Sequence, residues 1–235
     1  MKTLEFGGRK IHAFLPEGGA RLKVWTHMQA DEAAALFEAA GGGIALFAAD
    51  GYDWNADLSP WPANACFKGG EDFAGRAPAQ LEWLAGAIET AEQELADAIR
   101  AAYAQDFAGF SGQDDLPRAI LGYSLAGLFA VWAMAECDLF DMCASVSGSL
   151  WYDGFLEHLQ GRAERFAGKR AYLSLGDREA KTRNMRLACV QERTEAARDL
   201  LAAAGAQCVF ELNPGNHFQD PAGRCARAAE WLKGR

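Results

Sequence analysis

A serine, a carboxylate and a histidine stand in this chain at places where they could act on one carbonyl. Residues 119–127 read Ala-Ile-Leu-Gly-Tyr-Ser-Leu-Ala-Gly. A short apolar strand pattern runs into Gly122, then Ser124, and the apolar run Leu128, Phe129, Ala130, Val131 continues as a helix. A very sharp turn between the two would hold up the Ser124 hydroxyl in a strained backbone conformation, so its neighbours must lack bulk. Gly122, Ala126 and Gly127 supply that, with Ala126 where a Gly-x-Ser-x-Gly pattern has its second glycine. The helix points its unpaired N–H groups and positive dipole end at the same spot. A hydroxyl held there can attack a carbonyl, and the negative charge that develops meets backbone donors. The same short pattern also occurs in loops where serine merely caps a helix. The strand before, the helix after and suitable partners downstream favour the chemical reading.

A serine hydroxyl is a poor nucleophile until a base takes its proton, and imidazole suits that task at neutral pH. Only four histidines occur, at 12, 27, 158 and 217. His12 falls in a hairpin, where an exposed structural role is expected. His27 ends an early strand and His158 lies on a short amphipathic helix. His217 lies in Asn213-Pro214-Gly215-Asn216-His217-Phe218, after the last strand and downstream of Ser124, and is the expected base. The imidazole needs an orienting acid. Gly176-Asp177-Arg178-Glu179 follows another strand and offers two. Glu179, three residues after the glycine, is preferred, with Asp177 as the alternative. One of the two is a solvated loop charge. The expected oxyanion donors are the amide of Leu125 and one from Asp50–Asn55, with Trp54 preferred and Asp53 and Tyr52 as alternatives. Trp61, Tyr123 and Trp151 are expected to line a substrate pocket. The bland reading of the loop aromatics is packing on the sheet.

The elements that must position these residues are legible as patterns. Leu4–Leu15 alternates around Gly7-Gly8 and predicts a hairpin. Strands are predicted at Leu22–Thr26, Ile44–Ala48, up to Ser124, Asp141–Ser147, Arg170–Leu175 and Cys208–Leu212. Helices are predicted at Asp31–Ala40 with Asp31 as cap, Pro78–Tyr103, after Ser124 to Glu136, Trp151–Gln160, Arg183–Ala204 and Pro221–Leu232. A long irregular stretch, Tyr52 to about Arg76, is rich in Trp, Pro, Gly and Asn; such a loop is usually functional. Asp106–Pro117 reads as a polar loop. The alternation argues for an α/β architecture. Its mostly parallel sheet carries helices on both faces, an antiparallel hairpin at the N-terminal end, and chemistry at the strands' carboxyl ends.

The 235 residues fit one α/β domain spanning 1–235, and half of them are apolar, enough for a sizeable core. A net charge of -9 makes a nucleic-acid backbone an unsuitable partner. No signal-peptide pattern or membrane-length apolar run occurs, so a cytoplasmic protein with no membrane partner is expected. The six cysteines form no C-x-x-C pair, which predicts reduced thiols and no disulfide framework. No paired His/Asp/Glu ligand spacing suggests a metal.

The chain resembles the esterase D-like group of the α/β-hydrolase superfamily, which includes the enterochelin esterases. The matching pieces are Leu46–Gly51 with Trp54, Gly122–Ala130, Ser145-Val-Ser-Gly-Ser-Leu-Trp-Tyr-Asp153, Gly176–Glu179 and Gly215-Asn-His-Phe218, spanning most of the chain from about residue 44. The order serine, acid, histidine is also that of α/β hydrolases. The resemblance implies an α/β-hydrolase fold and a serine hydrolase that cleaves small-molecule esters with no cofactor and no metal. By position it gives Ser124 as nucleophile and His217 as base. The extra N-terminal domain of the enterochelin enzymes and a basic cluster for anionic catecholates are not seen, so that substrate is not carried over. Acyl transfer or thioester hydrolysis on the same serine, and a non-catalytic binding module on this scaffold, are the alternative functions. No dedicated lid insertion is seen, which points to open access and a small or medium-sized ester.

Overall fold

The structure is a computed structural model that describes residues 1–101 and 116–234. The expected extension of one helix to Tyr103 and most of the Asp106–Pro117 loop lie outside the described residues. Strands β1 (Lys2–Phe6) and β2 (Arg9–Phe14) form the hairpin, pairing antiparallel. They are followed by β3 (Leu22–His27), helix α1 (Ala30–Ala39) and β4 (Ile44–Asp50). A short helix α2 (Trp54–Asp57), a small ribbon of β5 (Pro62–Ala63) and β6 (Phe73–Ala74), and helices α3 (Ala77–Glu94) and α4 (Ala96–Ala101) come next. The second half runs β7 (Arg118–Tyr123), α5 (Leu125–Glu136), β8 (Met142–Val146), α6 (Phe155–Gln160), β9 (Arg170–Gly176), α7 (Met185–Ala188), α8 (Val190–Ala203), β10 (Gln207–Asn213) and α9 (Pro221–Lys233).

Eight strands form one sheet in the order β1-β2-β4-β3-β7-β8-β9-β10. Among the described residues of this sheet, β1–β2 and β2–β4 pair antiparallel and the remaining neighbours pair parallel. The order turns back between β3 and β7. The chain steps from β3 outward to β4 on one side of that line, then crosses back to β7 and builds outward on the other, which opens a crevice at the carboxyl ends there. Ser124 follows β7, directly at this switch.

Alternate residues of each strand feed two cores on opposite faces of the sheet. Trp25, Phe47 and Ile120 pack with α3, α5 and α8, and the Trp25 and Phe47 rings stack at 4.7 Å. Val24, Leu46 and Leu121 pack with α1 and α9. Helix α5 is apolar on all sides and buried from Leu125 to Ala135, as a helix at the centre of such a layer must be.

Several expectations are corrected at this level. Gln29, not Asp31, caps α1: its side chain and that of Glu32 form a reciprocal capping box, and Asp31 sits in the first turn. The long helix after Pro78 breaks at Leu95 into α3 and α4, and the helix after Arg183 breaks at Cys189 into α7 and α8. Apolar periodicity continues across both joints and therefore does not reveal them. Trp151–Asp153 is a turn, and the helix begins at Phe155. His12 is buried, not exposed, beside Thr3 Oγ1 at 3.2 Å and Asp50 Oδ2 at 3.4 Å. All six cysteines are free thiols.

Candidate active site

Ser124 sits between β7 and α5 at φ 58 and ψ -120, a region that costs a non-glycine residue about 1–3 kcal/mol. The turn is possible because Gly122 has no side chain. A Cβ there would lie 2.0 Å from the Ala126 carbonyl oxygen. Gly127 is tight to a lesser degree, since its Cβ would meet Gly122 O and Ser145 Oγ at 3.0 Å. Ala126 fills the second-glycine position without difficulty and is buried in the core. The amide of Ser149 donates to the Ser124 carbonyl at 3.0 Å, and the Ser124 amide donates to Val146 O at 3.0 Å. The turn is therefore clamped by the segment after β8.

His217 reaches Ser124 from the loop after β10. Its Nε2 lies 3.0 Å from Ser124 Oγ, and its Nδ1 lies 2.8 Å from Glu179 Oε2. This places an acceptor nitrogen towards the hydroxyl and an N–H towards the carboxylate. Burial pushes the Glu179 carboxyl up. The hydrogen bonds from His217 and from the Gly176 amide, the latter at 2.5 Å, outweigh burial and hold it below the ordinary carboxylate range. Asp177, the alternative acid, does not touch His217. Its Oδ1 accepts the Gly215 amide at 2.8 Å and braces the histidine loop from outside.

Sequence reasoning passed over Arg224, on α9. Its side chain is fully buried and makes four hydrogen bonds. Nη1 donates to Glu179 Oε1 at 3.0 Å and Ser147 Oγ at 2.9 Å, and Nη2 donates to Pro214 O and Asn216 O at 3.0 Å each. One guanidinium thus ties the acid, the histidine loop and the turn after β8 together. An arginine in an otherwise ordinary amphipathic helix carries no local signal for this.

On the other side of Ser124, Asp53 caps α2 by accepting the Ala56 amide at 2.9 Å. The Asp53 amide is committed to Asp57 Oδ2 at 2.9 Å. The buried Asp57 carboxylate is also held by Arg9 at 3.1 Å and Arg76 at 3.0 Å. Trp54 and Leu125 are the first residues of α2 and α5, so their amides have no intrahelical acceptor. Both residues wall one cavity with Ser124, and Tyr52 does not. Tyr52 instead packs edge-on against the buried His27 ring at 5.1 Å.

Two lobes open on Ser124. One, of about 300 Å³, runs past His217 to Phe218, Leu187 and Val190. The other, of about 170 Å³, runs past Leu125 to Trp54, Ala65 and Phe73. Cys66, Phe67 and Trp151 border both. Residues from Trp54 to Phe73 thus wall the cleft. They are tied down by Asn184, which donates to Cys66 O at 2.7 Å, and by Arg186, which donates to Asn64 O at 2.5 Å. The other two expected pocket residues lie elsewhere. Trp61 packs against Tyr152, Phe155 and His158, and its Nε1 donates to Asp153 O at 3.0 Å. Tyr123 faces a separate cavity between α1 and α9, and its hydroxyl donates to the His217 carbonyl. Among the described residues no group of three His, Cys, Asp or Glu side chains could hold a metal ion, and no helix is long and apolar enough to cross a membrane.

Residues 31–219 match the family described as "Putative esterase". No curated protein matches the chain in sequence. Among solved structures the chain is similar to an IroE-like serine hydrolase from Shewanella oneidensis, at 17% identity and a TM-score of 0.74, covering 97% of this chain and 78% of that one. It is also similar to the siderophore hydrolase EstA from Aspergillus nidulans, at 20% identity and a TM-score of 0.66, covering 96% and 89%. A carboxylesterase from Mesorhizobium loti aligns over 99% of both chains at 16% identity and a TM-score of 0.58. At these identities the structures speak for the fold. The family match covers most of the chain, and the protein therefore belongs to the "Putative esterase" family, an esterase-type hydrolase with the α/β-hydrolase fold.

Proposed function

We propose that the protein cleaves carboxylic esters through an acyl-serine formed on Ser124, with His217 as base and Glu179 as the acid that orients it. The observation that carries this reading is the unbroken chain Ser124 Oγ–His217 Nε2 at 3.0 Å and His217 Nδ1–Glu179 Oε2 at 2.8 Å, on a serine strained to φ 58. His217 takes the Ser124 proton as Oγ bonds to the carbonyl carbon. The oxyanion rests on the amides of Leu125 and Trp54. The carbon–oxygen bond to the alcohol then breaks, and the proton on Nε2 passes to the departing oxygen. Water repeats the sequence on the acyl-serine, giving up its proton to His217, and releases the acid and the free hydroxyl. Glu179 stays ionised throughout and stabilises the imidazolium.

A fluorophosphonate probe reads the activated serine without requiring the natural ester. One adduct per chain, mapped by mass spectrometry to Ser124 and absent in Ser124→Ala and His217→Ala, is expected. Ser124→Ala should also lower kcat on an activated ester by roughly 10⁴- to 10⁶-fold. A folded Ser124→Ala protein that retains wild-type turnover would sink the reading.

A further inference from the structure

The two lobes that meet at Ser124 differ in which of its neighbours they touch, and that difference orients a substrate. The argument rests on the acyl-serine reading above. A tetrahedral carbon on Ser124 Oγ carries three other groups. Its oxyanion points to the amides of Leu125 and Trp54. Its alcohol oxygen must face His217 Nε2, the only source of the proton it needs to leave. Its acyl carbon takes the direction that remains. The lobe of about 300 Å³ is the one walled by His217 and Phe218. The lobe of about 170 Å³ also opens on Ser124, runs on past the two oxyanion donors to Ala65, Gly70 and Phe73, and is not walled by His217, so it is the direction left for the acyl chain. We infer that the larger lobe takes the alcohol and the smaller lobe the acyl chain, so that the substrates are esters of short acids with bulky, apolar alcohols.

Size and chemistry agree with that division. The larger lobe has nearly twice the volume of the smaller, about 300 against about 170 Å³. Acetyl to butyryl suits the smaller, and a benzyl-sized group the larger. Phe218, Leu187, Val190 and Trp151 make the larger lobe apolar. The nearby Arg186 is already engaged: it lies over the Trp151 ring at 5.1 Å and pairs with Asp153 at 2.9 Å.

Steady-state kinetics on a small ester grid tests this. Ethyl and benzyl acetate have alcohols of similar leaving ability, so their ratio reads the alcohol lobe. Benzyl acetate against benzyl octanoate reads the acyl lobe. The expected kcat/KM favours benzyl over ethyl, and acetate over octanoate, each by roughly tenfold or more, the scale set by apolar contact in a pocket. Leu187→Trp should lower the benzyl-to-ethyl ratio without moving the acetate-to-octanoate ratio. Ala65→Leu should raise the acetate-to-octanoate ratio without moving the alcohol ratio. Exchanged effects of the two variants, or flat ratios in the parent enzyme, overturn the assignment. Fluorophosphonate labelling of each protein separates the two levels. Labelling at Ser124 with the wrong ratios overturns only the lobe assignment, whereas folded protein without labelling overturns the acyl-serine reading with it.

Discussion

At the scale of single residues, two carboxylates near the end of β9 have separate jobs. Glu179 is buried and touches His217, and Asp177 is half exposed and accepts the Gly215 amide. Glu179→Gln keeps the shape but reverses the hydrogen-bonding preference at one oxygen, which disfavours the tautomer that leaves Nε2 free to accept. It is expected to lower kcat by roughly 10²- to 10⁴-fold, while Asp177→Asn stays within about tenfold of wild type. Activity measured on one activated ester for both variants decides between them. If Asp177→Asn proves the more damaging, the assignment of the acid is wrong. The pair was legible in the sequence as a pair, because both follow a strand and a glycine. Which of them faces the histidine is a matter of side-chain direction in a tight turn, and no residue spacing encodes that. Arg224 was not legible at all. Its partners Ser147, Glu179, Pro214 and Asn216 lie on three different loops, and only the packing of α9 against the sheet brings them within reach. Removing one member of a buried ion pair leaves the other charge uncompensated. Arg224→Met should therefore destabilise the fold by about 3–5 kcal/mol in urea unfolding. A loss below 1 kcal/mol would show that Glu179 is held by other groups.

At the scale of elements, the serine turn depends on one bare position and tolerates substitution at another. Gly122→Ala would drive its Cβ to 2.0 Å from Ala126 O, inside the backbone of the turn. That contact cannot relax through a side chain, so a loss on the order of 4 kcal/mol, with loss of probe labelling, is expected. Ala126→Gly restores the commoner pattern. It should label normally and cost about 1 kcal/mol, the loss of one buried methyl group in the first turn of α5. Thermal unfolding and labelling of the two variants together check the account. A well-folded, labelled Gly122→Ala would contradict it. The strand, the turn and the helix were all readable from apolar periodicity and small residues. The breaks at Leu95 and Cys189 were not, because the apolar face runs through both joints. The segment between β4 and α3 was readable only as long and irregular. Its short helix is capped within the segment, by Asp53 on the Ala56 amide and Asp57 on the Asp53 amide, whereas the stretch between the ribbon strands is held by Asn184 and Arg186 from a distant part of the chain.

At the scale of the molecule, the buried network around His27 sets a pH response. His27 at the end of β3 is buried against Tyr52 and Phe129, and Gln80 donates to its Nε2 at 2.9 Å. Burial first, and then the charge of Arg9, lower its pKa from the ordinary 6.5 to about 3. The folded protein keeps His27 neutral where the unfolded chain has already taken up a proton. Stability therefore falls as pH drops from 6.5 towards 3, with a slope of up to about 1.4 kcal/mol per pH unit from this one group. Glu179 acts in the same direction at lower pH. Its folded pKa is depressed, so its contribution is present above the unfolded value and lost as pH falls through the folded one. Urea midpoints at pH 7 and pH 5 should differ in the wild type and differ less in His27→Gln. An equal slope in the variant would remove His27 as the cause.

The sequence by itself determined the alternation of strands and helices, the serine turn, and the order in which Ser124, the two carboxylates and His217 arrive. Each of these is local: periodicity, small residues and position after a strand are properties of short windows. It also carried the likeness to esterases, because the motifs around Ser124, Glu179 and His217 are contiguous. Only the tertiary structure decided which carboxylate meets His217, that Arg224 fastens the site, that Trp61 and Tyr123 face away from the cleft, and how the cleft divides into two unequal lobes. Those are relations between loops that meet at the carboxyl ends of β4, β7, β8, β9 and β10. Side chains brought together from such distances are chosen by how the sheet twists and the helices pack over it, and a linear pattern holds no record of that geometry.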